Sequence, residues 1–221
     1  MSNRCVIICD IEKSRKIDDW NGIINLLNES LKEINMKFKE SIISEFRPTI
    51  GDEFQGILNN PENAYDIYIF FKNELSVNFY FGIGVGNAEI PPTAAEGHYM
   101  RGSAFYRARD ALEACKNKKR HIFIKSSNTQ EHIDDVINAM FQIIGILEKS
   151  MTDKQRKIVN YYRKNQDFTY KQIGQKFGTT KQTVYDILKA ANWNIISICE
   201  SQVRRLLEYL SSETYCLTEH E

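Results

Sequence analysis

The stretch Thr169–Ala190, TYKQIGQKFGTTKQTVYDILKA, has the spacing of a helix-turn-helix. Ile173 and Phe177 stand four apart on a first helix, and the small Gly174 lies where a second helix must cross closely. Gly178 follows at the turn, where a positive φ is needed and glycine adopts it without steric cost. Thr179 and Thr180 are placed to cap the next helix, whose Val184, Ile187 and Leu188 form an apolar stripe. That leaves Lys181, Gln182, Tyr185 and Lys189 facing outward. With Thr180 at the helix start they make a donor-rich set suited to the base edges and phosphates of double-stranded DNA. An ordinary pair of core helices with a solvated outer face fits the same spacing.

The charge distribution favours the first of these readings. The formal net charge is +0 over 221 residues, yet residues 151–210 hold 11 Lys+Arg against 5 Asp+Glu, and residues 1–150 hold 18 against 21. A basic segment joined to a slightly acidic one is the electrostatic footprint of a DNA-binding appendage. The tail, 211–221, adds three glutamates. With 42% hydrophobic and 26% charged residues, the chain has the make-up of a soluble globular protein of one large domain, or a medium and a small one. The N-terminal apolar run, Cys5–Cys9, is too short for a signal peptide or a membrane span, so no membrane partner is expected. Cys5, Cys9, Cys115, Cys199 and Cys216 are odd in number and form no CxxC. His98, His121, His132 and His220 stand at no zinc-ligand spacing, so free thiols in a reducing cytoplasm are expected, with no structural zinc.

Ahead of the basic segment, Cys5–Asp10 is a β-branched run of the kind buried on both faces of a sheet. Helical spacing follows over 20–38, then two strands, 41–46 and 53–58, joined through Pro48 and Gly51. Pro61 is placed to open a further helix. Val77–Val85 alternates strictly, and its second face carries Gly82, Gly84 and then Gly86, glycines that mark close approach of a backbone or ligand, or tight packing. The loop 87–101 contains Pro91 and Pro92, and a helix over 103–115 and a strand over 121–125 complete the order β-α-β-β-α-β-α-β. The expected fold is α+β: a ferredoxin-like or palm domain over 1–126 and a connecting helix over 127–150. An all-α helix-turn-helix domain over 151–221, with its acidic tail, completes it.

In that strand order the first strand lies between its neighbours, so the hairpin brings Asp52 beside Asp10. Two carboxylates held together repel unless a cation sits between them. With the backbone carbonyl of Ile11 they form an oxygen donor set that suits Mg²⁺ or Mn²⁺. Such a metal can hold a nucleotide, and Ser14 and Arg15 in the following loop are placed to take phosphate oxygens. A plain Gly51-Asp52 turn, with Asp10 capping the next helix, explains the same residues without a ligand.

GDEF at Gly51–Phe54, with Asp10 at the end of strand one, resembles the metal-binding pair of the GGDEF diguanylate cyclases and the class III nucleotide cyclases. Ile50 replaces the first glycine of the former, whereas Ile50-Gly51-Asp52 matches the latter. FGIGVG at 81–86 and GSAFYRARDALE at 102–113 are similar to the class III pattern of a glycine before an Asn-x-x-x-Arg helix. The resemblance makes Arg109 a nucleotide-binding residue. It puts Phe105 where the ribose-orienting Asn belongs, which implies metal and nucleotide binding rather than turnover. Over nearly its whole length, the order DIEKSR, IGDEFQGIL, FGIGVG, the 102–112 helix and a C-terminal helix-turn-helix resembles the SatD family, which implies the same two-domain architecture.

The function expected is that of a DNA-binding, transcriptional regulator whose front domain binds a divalent metal and a nucleotide. The alternative is a nucleotidyltransferase or cyclase using Mg²⁺ or Mn²⁺ and a nucleoside triphosphate; a protein-interaction module would need no paired carboxylates. The apolar stripes of 133–147 and 195–207 offer surface for a homodimer. Arg101, Arg107 and Arg109 follow the glycine strand, where they are placed to bind phosphates, although a solvated helix face is the commoner explanation. The basic run Lys116–Arg120 reads as solvated, and His98, in reach of a ligand in the long loop, as a histidine without a specific role.

Overall fold

The β-branched run after Asn3 forms strand β1 (Arg4–Ile11), with antiparallel partners on both sides. That is why Cys5–Cys9 is buried throughout. A computed structural model of the chain describes residues 3–89 and 101–212; Pro91, Pro92, His98, Cys216, His220 and the three tail glutamates lie outside them. After β1 come α1 (Trp20–Lys37), β2 (Ile42–Pro48), β3 (Glu53–Leu58), α2 (Ala64–Glu74), β4 (Phe79–Gly86), α3 (Ser103–Lys118) and β5 (Ile122–Lys125). The helices α4 (Glu131–Lys149), α5 (Asp153–Lys164), α6 (Tyr170–Lys176), α7 (Lys181–Ala190) and α8 (Trp193–Ser212) follow. The fold is mixed α+β, and among the described residues no helix is long and apolar enough to cross a membrane.

The sheet runs β2-β3-β1-β4-β5, antiparallel except for β4 with β5. One face carries Phe46, Phe54, Phe79 and Phe81, whose rings meet Phe71 and Tyr68 of α2 edge to face. The other face carries Val6, Ile8 and Ile57 against Ala104, Ala108 and Leu112 of α3. The glycines of β4 decide how close α3 comes. A Cβ on Gly82 would stand 2.5 Å from the Ala108 carbonyl oxygen and 2.6 Å from the Leu112 nitrogen, and one on Gly84 would overlap the backbone of Ala104 and Ala108. Helix backbone therefore fills the glycine stripe, and of the sequence readings of these glycines it is tight packing that the structure bears out.

Two local expectations change. Pro61 opens a turn, closed by the Ala64 N–H on the Pro61 carbonyl, and the helix begins only at Ala64. Helix α1 is capped by Asp19, whose carboxylate accepts the Gly22 N–H at 3.0 Å, so Asp10 is not a cap.

The chain divides into two compact units, residues 1–138 with 203–221, and residues 139–202. The last turns of α8 belong to the first: Arg204 is bonded to Asp66 at 2.8 and 3.0 Å, and Leu210 accepts from Asn3. Charge and periodicity alone assign these turns to the helical module, because a pairing 138 residues apart leaves no local mark.

The first turns of α4 cover the outer edge of β5. Asn138 bonds both backbone groups of Ile124, at 2.9 and 3.0 Å, and Asp134 accepts the Ser126 N–H at 2.6 Å. Side chains four apart on one helix face thus satisfy an edge that would otherwise invite another strand. Burial pushes the Asp134 carboxyl up to about 6, against an opposing pull from its bonds to Ser126.

Gly84→Ala forces a Cβ into helix backbone and is expected to lower the urea unfolding midpoint, by about 1–3 kcal/mol of stability or more. Gly145→Ala, where an added Cβ meets nothing within 4 Å, is expected to raise it by roughly 0.5–1 kcal/mol. For Asp134 the sign follows from linkage. A folded-state pKa near 6, above the ordinary 3.8, makes the fold bind a proton more tightly than the unfolded chain. Wild type is therefore expected to gain stability relative to Asp134→Asn as pH falls from 7 to about 4.5. A difference independent of pH contradicts the assignment.

Candidate functional site

Asp10, next to last in β1, stands directly opposite Glu53 of β3 and Tyr80 of β4. Directly opposed residues of antiparallel strands share a face, so all three project toward α3, the side taken by Val6 and Ile8 before them. Helix α3 answers with cations two turns apart. Lys116 Nζ lies 2.9 Å from Asp10 Oδ2, and Arg109 Nη1 lies 2.6 Å from Glu53 Oε1. The acids are the fixed partners, with side chains 14% and 20% exposed, whereas the cations are 40% and 45% exposed. Burial raises the Asp10 pKa, Lys116 draws it back down, and the charges of Asp52 and Glu53 raise it further.

Asp52 sits in the β2–β3 turn, where Gly51 has φ 67° and the Glu53 N–H returns to the Ile50 carbonyl. The turn reading therefore holds together with proximity to Asp10: the Ile11 N–H donates to the Asp52 carbonyl at 3.3 Å, and the Asp52 charge is felt at Asp10. Ser14 and Arg15 lie in a single 3-10 turn, Ser14–Lys16, just past the same end of β1, entered through Lys13 at φ 56°. Of Arg101, Arg107 and Arg109, it is Arg109 that meets an acid of this face. Arg107 donates to the Val85 carbonyl at 2.9 Å, and Arg101 bridges Glu89 through its backbone. Phe105 packs against the cluster of Val6, Ile8 and Leu112.

The sequence reading does not single out Glu53, Tyr80 or Lys116. Glu53 stands inside the quoted GDEF, and the period of two along a strand puts it on the face of Asp10 once the pairing is known. Lys116, solvated on the sequence reading, is committed to Asp10, and its position seven residues after Arg109 is the available signal. Among the described residues, no three His, Cys, Asp or Glu side chains gather as a protein-only metal site would require. One or two carboxylates with phosphate and water oxygens suit Mg²⁺, which keeps most of its ligands outside the protein.

The helical unit presents a different surface. Thr152 and Thr169 each form a capping box with the Gln three residues on, starting α5 and α6. Gly178 is favoured by its φ of 61° at the turn, and Gly174 by the close crossing, since a Cβ there would lie 2.7 Å from the Thr179 carbonyl. Thr180 caps α7, its hydroxyl oxygen accepting the Thr183 N–H at 3.1 Å. Val184 and Leu188 are buried, while Lys181, Gln182, Tyr185, Asp186 and Lys189 are exposed. Asp186 is the residue that the sequence reading misses here, an acid among donors that accepts from Gln182 Nε2 at 3.0 Å.

Rings connect the four helices: Tyr185 to Tyr170, Tyr170 to Tyr162 and Tyr162 to Trp193, with centroids 6.4, 5.6 and 5.7 Å apart. Beneath them the buried Arg163 binds Glu148 at 2.7 Å and Glu200 at 2.9 Å, tying α5 to α4 and α8. The predicted self-association stripes are partly spent. Ile137, Ile144, Ile196, Val203 and Leu207 are buried, whereas Val136, Ile143, Ile146, Ile195 and Ile198 are exposed.

No curated protein matches the chain. The SatD family description matches residues 5–207, from the start of β1 into the last turns of α8, and so covers the acidic sheet face and the α6–α7 pair alike. The chain belongs to the SatD family.

Proposed function

We propose that this SatD-family chain is a DNA-binding regulator in which α5–α7 form a helix-turn-helix and α7 is the reading helix. The observation that carries this is the exposed row of Lys181, Gln182, Tyr185 and Lys189 on a helix whose other side is buried through Val184 and Leu188. The excess of cations over 151–210 supplies the phosphate attraction that such a helix needs. A reading helix contacts few base pairs, so two copies on a two-fold target complete the proposal, with the exposed isoleucines of α4 and α8 as the apolar surface available to them.

For the sheet unit, the order β2-β3-β1-β4 with β5 added in parallel supports a ferredoxin-like, cyclase-related palm. On this reading Asp10 and Asp52, with Glu53 beside them and the Ile11 backbone, hold Mg²⁺ or Mn²⁺. Arg109, Ser14 and Arg15 meet the phosphates of a nucleotide. The metal, when bound, neutralises the acids and orients the phosphates. Lys116 must leave Asp10 for that to happen. Phe105, packed into the hydrophobic cluster, favours binding without turnover.

The wild-type chain is expected to retard duplex DNA from its own genomic neighbourhood, with affinity falling steeply as salt rises. Lys181→Ala with Gln182→Ala should cost sequence preference, about 1–3 kcal/mol for each base-edge interaction removed. Absence of duplex binding at low salt contradicts the proposal. For the sheet unit, Mn²⁺ with a nucleoside triphosphate is expected to raise the melting temperature, and Asp52→Ala to abolish the rise. An unchanged wild-type melting temperature removes the metal reading.

A further inference from the structure

Resting on the reading of α7 as a DNA-reading helix, we infer that Asp186 is a positioning residue that locks the Gln182 amide in one orientation and so makes Gln182 a reader of adenine. Asp186 and Gln182 stand four apart on α7, both exposed, and the bond runs from Gln182 Nε2 to Asp186 Oδ1 at 3.0 Å. An ionised carboxylate accepts hydrogen bonds and donates none. Only the NH₂ edge of the amide can therefore face Asp186, and the usual ambiguity between amide nitrogen and oxygen does not arise. With the N–H anti to Oε1 donated to Asp186, Oε1 and the syn N–H are left as an acceptor and a donor side by side. That fork is the complement of adenine in the major groove, which offers the N6 amino group as donor and N7 as acceptor.

An acid on a face otherwise rich in Lys181 and Lys189 has a second consequence. Its charge opposes the phosphate backbone on every sequence, so Asp186 lowers non-specific affinity while it sharpens the specific contact. A bond that served only to stabilise the helix would change neither base preference nor the ratio of specific to non-specific binding.

The test is a binding-site selection on the full-length protein, followed by fluorescence anisotropy on duplexes carrying each of the four base pairs at every selected position. Wild type, Asp186→Ala, Asp186→Asn, Gln182→Ala and the Gln182→Ala/Asp186→Ala double variant are compared. We expect one A·T position at which Gln182→Ala loses discrimination, roughly 5- to 150-fold for a bidentate contact. Asp186→Ala and Asp186→Asn should lose a large part of it at that same position and bind scrambled duplex more tightly. The double variant should discriminate no worse there than Gln182→Ala alone, because the two residues act as one unit. Discrimination that survives Asp186→Ala, or that falls additively in the double variant, overturns the inference while the DNA reading stands. A Gln182-dependent position that prefers guanine or a pyrimidine also overturns it. A wild type that binds no duplex removes both, and circular dichroism of each variant separates a weakened base interaction from an unfolded helix.

Discussion

The sheet unit depends on one close approach, the backbone of α3 laid against Gly82 and Gly84 of β4. No side chain separates helix from strand there, since a Cβ at Gly82 would already stand 2.5 Å from the Ala108 carbonyl. The helix makes its own side of the seat small with Ala104 and Ala108. Interiors are packed too densely for such a seat to shift without cost, so it fixes the height and course of α3 over the sheet. Everything α3 delivers to that face follows from it: Leu112 against Val6 and Ile8, and on the outer side Arg109 and Lys116 above Glu53 and Asp10.

The acids and their cations are a consequence of that seating and of strand register. Asp10 and Glu53 are opposed across β1 and β3, which would place like charges side by side on a partly buried face. The two α3 cations offset this repulsion, and their long exposed stems let them release the acids while the helix stays in place. A face neutralised from within has no need of a resident metal to be stable. Any divalent ion would compete with Lys116 for Asp10, and a phosphate-bearing ligand would give the displaced cations a new partner.

Much of this is legible in the sequence, for identifiable reasons. The α6–α7 pair is readable because its constraints are local: Gly178 at the turn, Thr180 at the cap, and Val184 and Leu188 at helical spacing. The position of β1 between β3 and β4 follows from the element order. What stays hidden depends on tertiary packing. The glycines of β4 signal close approach without saying to what, and only the placement of Ala104 and Ala108 against them gives the answer. Lys116 looks like one more lysine in a basic run, because its partner is 106 residues away. Arg204 and Asp66 hide the owner of the last turns of α8 in the same manner. Asp186 is legible in principle, four residues after Gln182, but an acid is easily overlooked on a face read for its donors.

The most direct test of the central claim is hydrogen–deuterium exchange of the full-length protein with and without a duplex that it retards. If α7 reads DNA, amides over 178–190 gain protection in the complex, while those of β2, at the far edge of the sheet, exchange as before. Protection confined to the sheet unit, with α6 and α7 unchanged by a bound duplex, would contradict the account.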